Sequence, residues 1–155
     1  MATERERKFL VTGETWRAQV VSQRAIRQAY LASTPHAAIR IRISDDSKAV
    51  LTIKSAEPGI ERSEFEFAVP LADAEAMLAL RTGEVIEKCR HVVPAGDLAW
   101  EIDVFAGAHE GLVMAEIELP AQDTPFERPD WLGEEVTGDR RYYNASMALG
   151  EGASD

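Results

Sequence analysis

The charged residues of this chain recur two positions apart, and the partners often share a sign. Glu4, Glu6 and Lys8 follow this spacing, as do Arg40 and Arg42, Arg62 with Glu64 and Glu66, Lys88 and Arg90, Glu101 and Asp103, and Glu116 and Glu118. Lys54 stands alone, opposite in parity to Leu51 and Ile53. A spacing of two places side chains on one face of a β-strand, because successive side chains point to opposite faces. Grouped carboxylates offer hard oxygen ligands, suited to Mg²⁺ or Mn²⁺ and unsuited to soft metals. Arginine can grip phosphate oxygens through two parallel N–H bonds, and lysine binds them as a point charge. Like charges on one face repel. A metal bound to a polyanion would engage both sets at once, so the ligand implied is an oligophosphate.

Strands must position these stripes. Period-two alternation bounded by turn formers predicts eight of them, at residues 3–11, 26–32, 37–44, 48–55, 60–69, 84–93, 98–105 and 113–119. The links Asp45-Asp46-Ser47, Ala56-Glu57-Pro58-Gly59 and Pro94-Ala95-Gly96-Asp97 are short and rich in turn residues, so the strands they join are expected to be antiparallel hairpins. Three helical pieces interrupt the pattern. Leu71, Ala74, Met77 and Leu78 share one face of a segment between Pro70 and Gly83. A second piece falls within residues 14–24. The third is expected over 139–149, N-capped by Thr137 or Asp139 and ended by Gly150. A further helical turn is expected near 129–132.

Eight antiparallel strands suffice to close a barrel, which removes sheet edges and gives each strand an inner and an outer face. An interior this rich in charge is not a dry core, since burying an unpaired charge costs several kcal/mol. The expected fold is therefore mainly β (α+β): an eight-stranded antiparallel barrel forming a hydrophilic tunnel, flanked by a few helices including a C-terminal one. Its apolar faces point outward, to be covered by helices or by a partner subunit, which makes a homodimer an expectation. One domain is expected over residues 1–149, with 150–155 a small, polar, flexible tail.

The overall charge points the other way. The sequence has 27 acidic and 17 basic residues, for a net charge of −10, which argues against coating by nucleic acid or an anionic membrane. The assigned tunnel residues are balanced, so this surplus describes the exterior. No long apolar run or secretory leader is present, and a cytoplasmic protein is the expectation. The single Cys89 excludes an internal disulfide, and it is read as an outward packing residue. His36, His91 and His109 lack metal-ligand spacing.

The same residues resemble the CYTH domains, or triphosphate tunnel metalloenzymes. The family's ExExK signature stands here as Glu4-Arg5-Glu6-Arg7-Lys8, and the resemblance continues through Gln28-Ala29-Tyr30-Leu31, Arg40/Arg42, Lys54, Arg62/Glu64/Glu66 and Lys88/Arg90. It then runs through Glu101 to Phe105, Glu116-Ile117-Glu118, and Trp131 to Asn144, and is most similar to short single-domain bacterial members. It implies a triphosphate substrate and a divalent metal, Mg²⁺ or Mn²⁺. By motif, Glu4, Glu6, Glu116 and Glu118 resemble the metal-binding carboxylates, with Asp103 a further member of that set. Lys8, Arg40, Arg42, Lys54, Arg62, Lys88, Arg90 and Arg141 resemble the phosphate ligands, with Tyr30 orienting phosphate or water, or packing. Glu64, Glu66 and Glu101 are read as ion-pair supports, and Trp131, Tyr142 and Asn144 as docking the C-terminal helix. The catalytic set is Lys8, Glu4, Glu6, Glu116 and Glu118. The activity implied is hydrolysis of inorganic triphosphate. Alternatives are adenylate cyclisation, hydrolysis of thiamine or nucleoside triphosphates, and a non-catalytic polyphosphate- or nucleotide-binding module.

Overall fold

Alternation along each strand separates a charged face from an apolar one, and closing the sheet on itself encloses one face of every strand. The computed structural model, which describes residues 2–56 and 60–150, does this. Its strands are β1 (Ala2–Val11), β2 (Ser22–Ser33), β3 (Ala37–Ser44), β4 (Lys48–Ser55), β5 (Glu61–Val69), β6 (Thr82–Ala95), β7 (Leu98–Phe105) and β8 (Val113–Glu118). All pair antiparallel in the order β5-β4-β3-β2-β6-β7-β8-β1, and β1 closes the barrel by pairing with β5. The eight expected strands are all present; β2 and β6 begin earlier than their alternation indicated. The Glu57-Pro58-Gly59 part of one expected turn lies outside the described residues, as does the expected tail beyond Gly150.

A ninth strand, β9 (Leu132–Glu135), was not expected. The helical turn foreseen near 129–132 is present only as one bond, Leu132 N to Pro129 O at 3.0 Å, after which the chain extends. The reason lies in β1. Its pairing with β5 covers only residues 2–5, and β9 occupies the edge beyond, pairing at Phe9 and Val11. Val136 N donates to Lys8 O at 2.8 Å, and Lys8 N to Thr137 Oγ1 at 2.9 Å. Gly133 permits this approach, since a Cβ there would lie 2.9 Å from the Leu10 carbonyl oxygen.

The helices are shorter than expected. The piece within 14–24 is a 3-10 helix, Thr15–Gln19, which buries Trp16. Helix α1 (Leu71–Leu78) lies across β2, β3 and β4. The C-terminal segment does not form one helix from Asp139. Asp139 caps a 3-10 turn, Arg140–Tyr142, by accepting from Arg141 N; Tyr143 is then extended (φ −75°, ψ 134°), and only Asn144–Leu149 is helical (α2). Two extended residues, Asp139 and Tyr143, bracket the turn and break the helical run.

Three apolar clusters surround the barrel wall. On one outer face Phe9, Trp16, Trp100, Ile117 and Trp131 pack together, with Trp100 edge-on to Phe9 at 5.7 Å and to Trp131 at 5.3 Å. Helix α1 covers a second, built on Ala29, Ile41 and Ile43. The third is different: Tyr30, Ile86, Phe105 and Met114 share the parity of the lumen residues, and Ala148 of α2 packs on them. One end of the lumen is thus apolar and covered by α2. On the outside of β5, Phe65 and Phe67 remain exposed. Among the described residues, no helix is long and apolar enough to cross a membrane.

Candidate functional site

The lumen holds a cavity of about 270 Å³, whose lining includes Glu4, Glu6 and Lys8 of β1, Arg40 and Arg42 of β3, Lys54 of β4, Arg62, Glu64 and Glu66 of β5, Lys88 and Arg90 of β6, Glu101 of β7, and Glu116 and Glu118 of β8. Tyr30 of β2 also lines it. The alternation rule therefore brought together, from seven charged stripes, nearly every residue assigned to the site.

Two of the assigned residues stand elsewhere. Asp103 is buried in the wall, where Arg90 grips both its oxygens at 2.7 and 2.8 Å and Lys88 lies 2.7 Å away. With both oxygens engaged by cations, it serves as an anchor for the basic wall. Arg141 does not line the cavity: its side chain is 76% exposed and paired with Asp139 at 2.7 Å. That pairing follows from the short 3-10 turn, which a continuous helix from Asp139 would not have formed.

The basic wall is under-compensated. Lys88 and Arg90 share Asp103, with Glu101 3.4 Å and Glu116 3.7 Å from Arg90, while Arg40 and Arg42 form no ion pair with a described residue. Arg40 is buried, donates from Nη2 to Thr52 at 3.3 Å, and has no partner for its buried Nε. Such an unsatisfied donor costs about 1–3 kcal/mol. Enclosure away from water, with Arg40 and Arg90 nearby, pushes the Arg42 guanidinium down to about 9. Lys88 is pushed down to about 7 by burial; Asp103 opposes this, while Arg90 and Arg42 add to it. Both shifts register a demand for negative charge.

The acidic wall is its counterpart. Glu6 faces Glu118 directly across β1 and β8, a like-charge pairing that is repulsive. Enclosure and then the Glu116 charge raise Glu6 to about 8. Burial likewise raises Glu4, against the opposing Lys54 at 3.1 Å. Glu118 is raised by partial burial and by Glu4, Glu64 and Glu101. Glu116 behaves oppositely: burial alone would raise it, but Lys8, Arg90 and Lys88 hold it well below the usual carboxylate range. Lys8 itself lies 3.5 Å from Glu116. Of the three residues read as supports, Glu64 lies 3.6 Å from Lys54 and Glu101 3.4 Å from Arg90, while Glu66 lines the cavity at an exposed position.

These donors fit a hard divalent cation. The acidic wall presents carboxylate oxygens only, and Glu4, Glu6 and Glu118 are all raised by burial first, which the chain's own cations do not offset. Among the described residues, no three acidic, histidine or cysteine side chains form a preformed cage. That suits Mg²⁺-like ions, which keep waters and bind through one or two carboxylates plus substrate phosphates.

Several lumen groups were not foreseen. Gln28, wholly buried, accepts from Arg42 Nε at 2.7 Å. Tyr143 stacks under the Arg62 guanidinium at 4.5 Å and lies 5.5 Å from Lys8. Thr137 and Asn144, the latter read as a docking residue, line the cavity. Gln28 shares the parity of Tyr30 and was findable by spacing; the others come from irregular chain with no periodicity. Cys89 lies on the outer side of β6, its Sγ 3.7 Å from His91 Nε2, and burial followed by the Asp103 and Asp45 charges raises its thiol.

A closed antiparallel barrel whose lumen sets a carboxylate wall against a buried cationic wall defines a tunnel for a polyanion and its metal. The CYTH domain family model matches residues 2–146, and the chain belongs to this family. It is 40% identical over 148 residues to the inorganic triphosphatase of Acetivibrio thermocellus, covering 95% of this chain and 94% of that one. The inorganic triphosphatase of Nitrosomonas europaea is 38% identical over 152 residues, covering 95% and 97%. The crystal structure of the inorganic triphosphatase NE1496 superposes with a TM-score of 0.67 at 34% identity over 97% of each chain.

Proposed function

We propose that this chain hydrolyses inorganic triphosphate with a divalent metal, Mg²⁺ or Mn²⁺, releasing orthophosphate from one end. The observation that carries the reading is the buried basic wall: Arg40 and Arg42 form no ion pair with a described residue, and one guanidinium N–H, Arg40 Nε, is left without a partner. Two relatives at 38–40% identity over almost the whole chain are inorganic triphosphatases, which supports it.

In this reading Arg40, Arg42, Lys88 and Arg90 hold the phosphate chain along one wall, with Lys8, Lys54 and Arg62 reaching it from β1, β4 and β5. Asp103 fixes the orientation of Arg90 and Lys88 and does not touch substrate. Glu4, Glu6, Glu116 and Glu118 would hold the metal, which when bound would supply charge neutralisation for the phosphates and polarisation of a water. The chain's own contribution is positioning and fixed charge, which together supply most of the catalysis in phosphoryl transfer. Tyr143 keeps the Arg62 guanidinium in place by lying against it.

Phosphate release from tripolyphosphate, thiamine triphosphate and ATP at equal concentration, each with Mg²⁺ and with Mn²⁺, tests the proposal, with cyclic AMP assayed alongside. Metal-dependent release greatest from tripolyphosphate is expected. Release no greater than that of a Glu4→Ala variant overturns it.

A further inference from the structure

Arg42 and Lys88 enter the lumen from β3 and β6, the two neighbours of β2, and both are tied to one pair of amides. Gln28 of β2 lies opposite Arg42 in the β2–β3 register. Its Oε1 accepts from Arg42 Nε at 2.7 Å, and its Nε2 donates to Asn144 Oδ1 at 2.9 Å. The same Oδ1 accepts from Lys88 Nζ, also at 2.9 Å. We propose that Gln28 and Asn144 are positioning residues: a directional amide relay through which the start of α2 sets the aim of Arg42 and Lys88 at the phosphate chain. This rests on the triphosphatase reading above.

The direction follows from amide chemistry. A carboxamide carries an acceptor at one end and two donors at the other. Arg42 can only donate, so the Gln28 end it meets is oxygen, and the opposite end must present NH₂ to Asn144. Gln28 and Lys88 then converge as donors on one Asn144 atom, which must be oxygen. No other arrangement of the two amides satisfies both cations.

The consequence for the cage is geometric. Lys88 has three N–H bonds; one goes to Asp103 at 2.7 Å and one to Asn144, so the direction of the third is set. Arg42 gives its Nε to Gln28, which fixes the guanidinium plane and leaves its two Nη groups for the lumen. Gln28 is wholly buried, so water does not replace the bond. Asn144 lies 116 positions from Gln28 in sequence and opens α2, so docking of the C-terminal helix and assembly of the cage are one event.

The test compares Gln28→Leu, Asn144→Leu, their double variant and Asn144→Asp, read as kcat/KM on tripolyphosphate and as the Tm shift on adding tripolyphosphate. Each leucine variant is expected to lose about 10–100-fold in kcat/KM, as when groups supporting a site's ligands are removed. The double variant is expected to lose no more than the worse single one, because both break the same relay. Asn144→Asp keeps both acceptor roles and is expected to stay within about threefold of wild type. Unchanged kcat/KM in the leucine variants, additive losses, or an aspartate as impaired as the leucine overturns the relay. The comparison at half-buried Asn144 stands even where Gln28→Leu fails to fold. Wild-type protein that releases no phosphate overturns the functional reading instead, and the relay is then judged by the Tm shift, an equal shift in wild type and Asn144→Leu counting against it.

Discussion

Asp103 carries more of the basic wall than any other acid. It is 1% exposed, chelates Arg90 and lies 2.7 Å from Lys88, and these cations hold its carboxyl at about 2 against the raising effect of burial. Removing one member of a buried ion pair leaves the others uncompensated and typically costs about 3–5 kcal/mol. Asp103→Asn is therefore expected to lose that much stability in urea denaturation; a loss below about 1 kcal/mol, the scale of an exposed pair, would show the anchor is not needed. Position decides the arginines in the same way. Arg40, buried with an unpartnered Nε in the lumen, is expected to cost about 100-fold or more in kcat when changed to alanine, the scale of one lost charge-stabilising donor. Arg141, exposed and paired with Asp139, is expected to tolerate the same change with activity near wild type. Equal losses at the two sites would return Arg141 to the phosphate-binding set.

At the scale of elements, the irregular chain between β8 and α2 completes what the hairpins begin. β9 covers the β1 edge that β5 leaves, and α2 covers the apolar end of the lumen, bringing Tyr143 and Asn144 to the cage. Gly83 at the start of β6 makes the close approach possible. Its φ is +75°, and a Cβ there would stand 2.3 Å from the Ala148 carbonyl oxygen of α2. Gly83→Ala is expected to displace α2, costing about 1–3 kcal/mol of stability and lowering kcat/KM together. Gly96, in the β6–β7 turn, has φ +64° with nothing near its Cβ direction. Gly96→Ala is expected to show the backbone strain alone, with activity retained. Thermal melts and tripolyphosphate assays of the two variants check this, and equal activity in both would separate α2 docking from the cage.

For the molecule as a whole, stability, pH and metal are linked through the acidic wall. Glu6 is raised from 4.5 to about 8, and Glu4 and Glu118 move the same way. Between these values the folded protein holds a proton that the unfolded chain has released, so stability falls as pH rises. Lys88, lowered from 10.5 to about 7, acts in the opposite sense but only above about 7, where the unfolded chain binds the extra proton. Metal-free protein is thus expected to lose Tm between about pH 5 and 7, with the slope flattened in Glu6→Gln and offset by excess Mg²⁺ or Mn²⁺, which binds the ionised wall. A metal-free Tm that rises across that window identically in wild type and Glu6→Gln would refute the link.

The charged stripes were legible in the chain itself, because side-chain alternation is a local property of any strand and survives without knowledge of its neighbours. From it came the barrel, the inward faces and the cast of lumen residues from Glu4 to Glu118. Which charges meet was not legible, since that depends on register and on segments without periodicity. Only the closed barrel shows that Asp103 is held by Arg90 and Lys88 in the wall, that Arg141 turns outward to Asp139, and that β9 answers an edge left unpaired. Only the docking of α2 brings Asn144 to Gln28 and Lys88, 116 and 56 positions away, because contacts so distant in sequence are decided by how the elements pack and leave no repeat in the sequence.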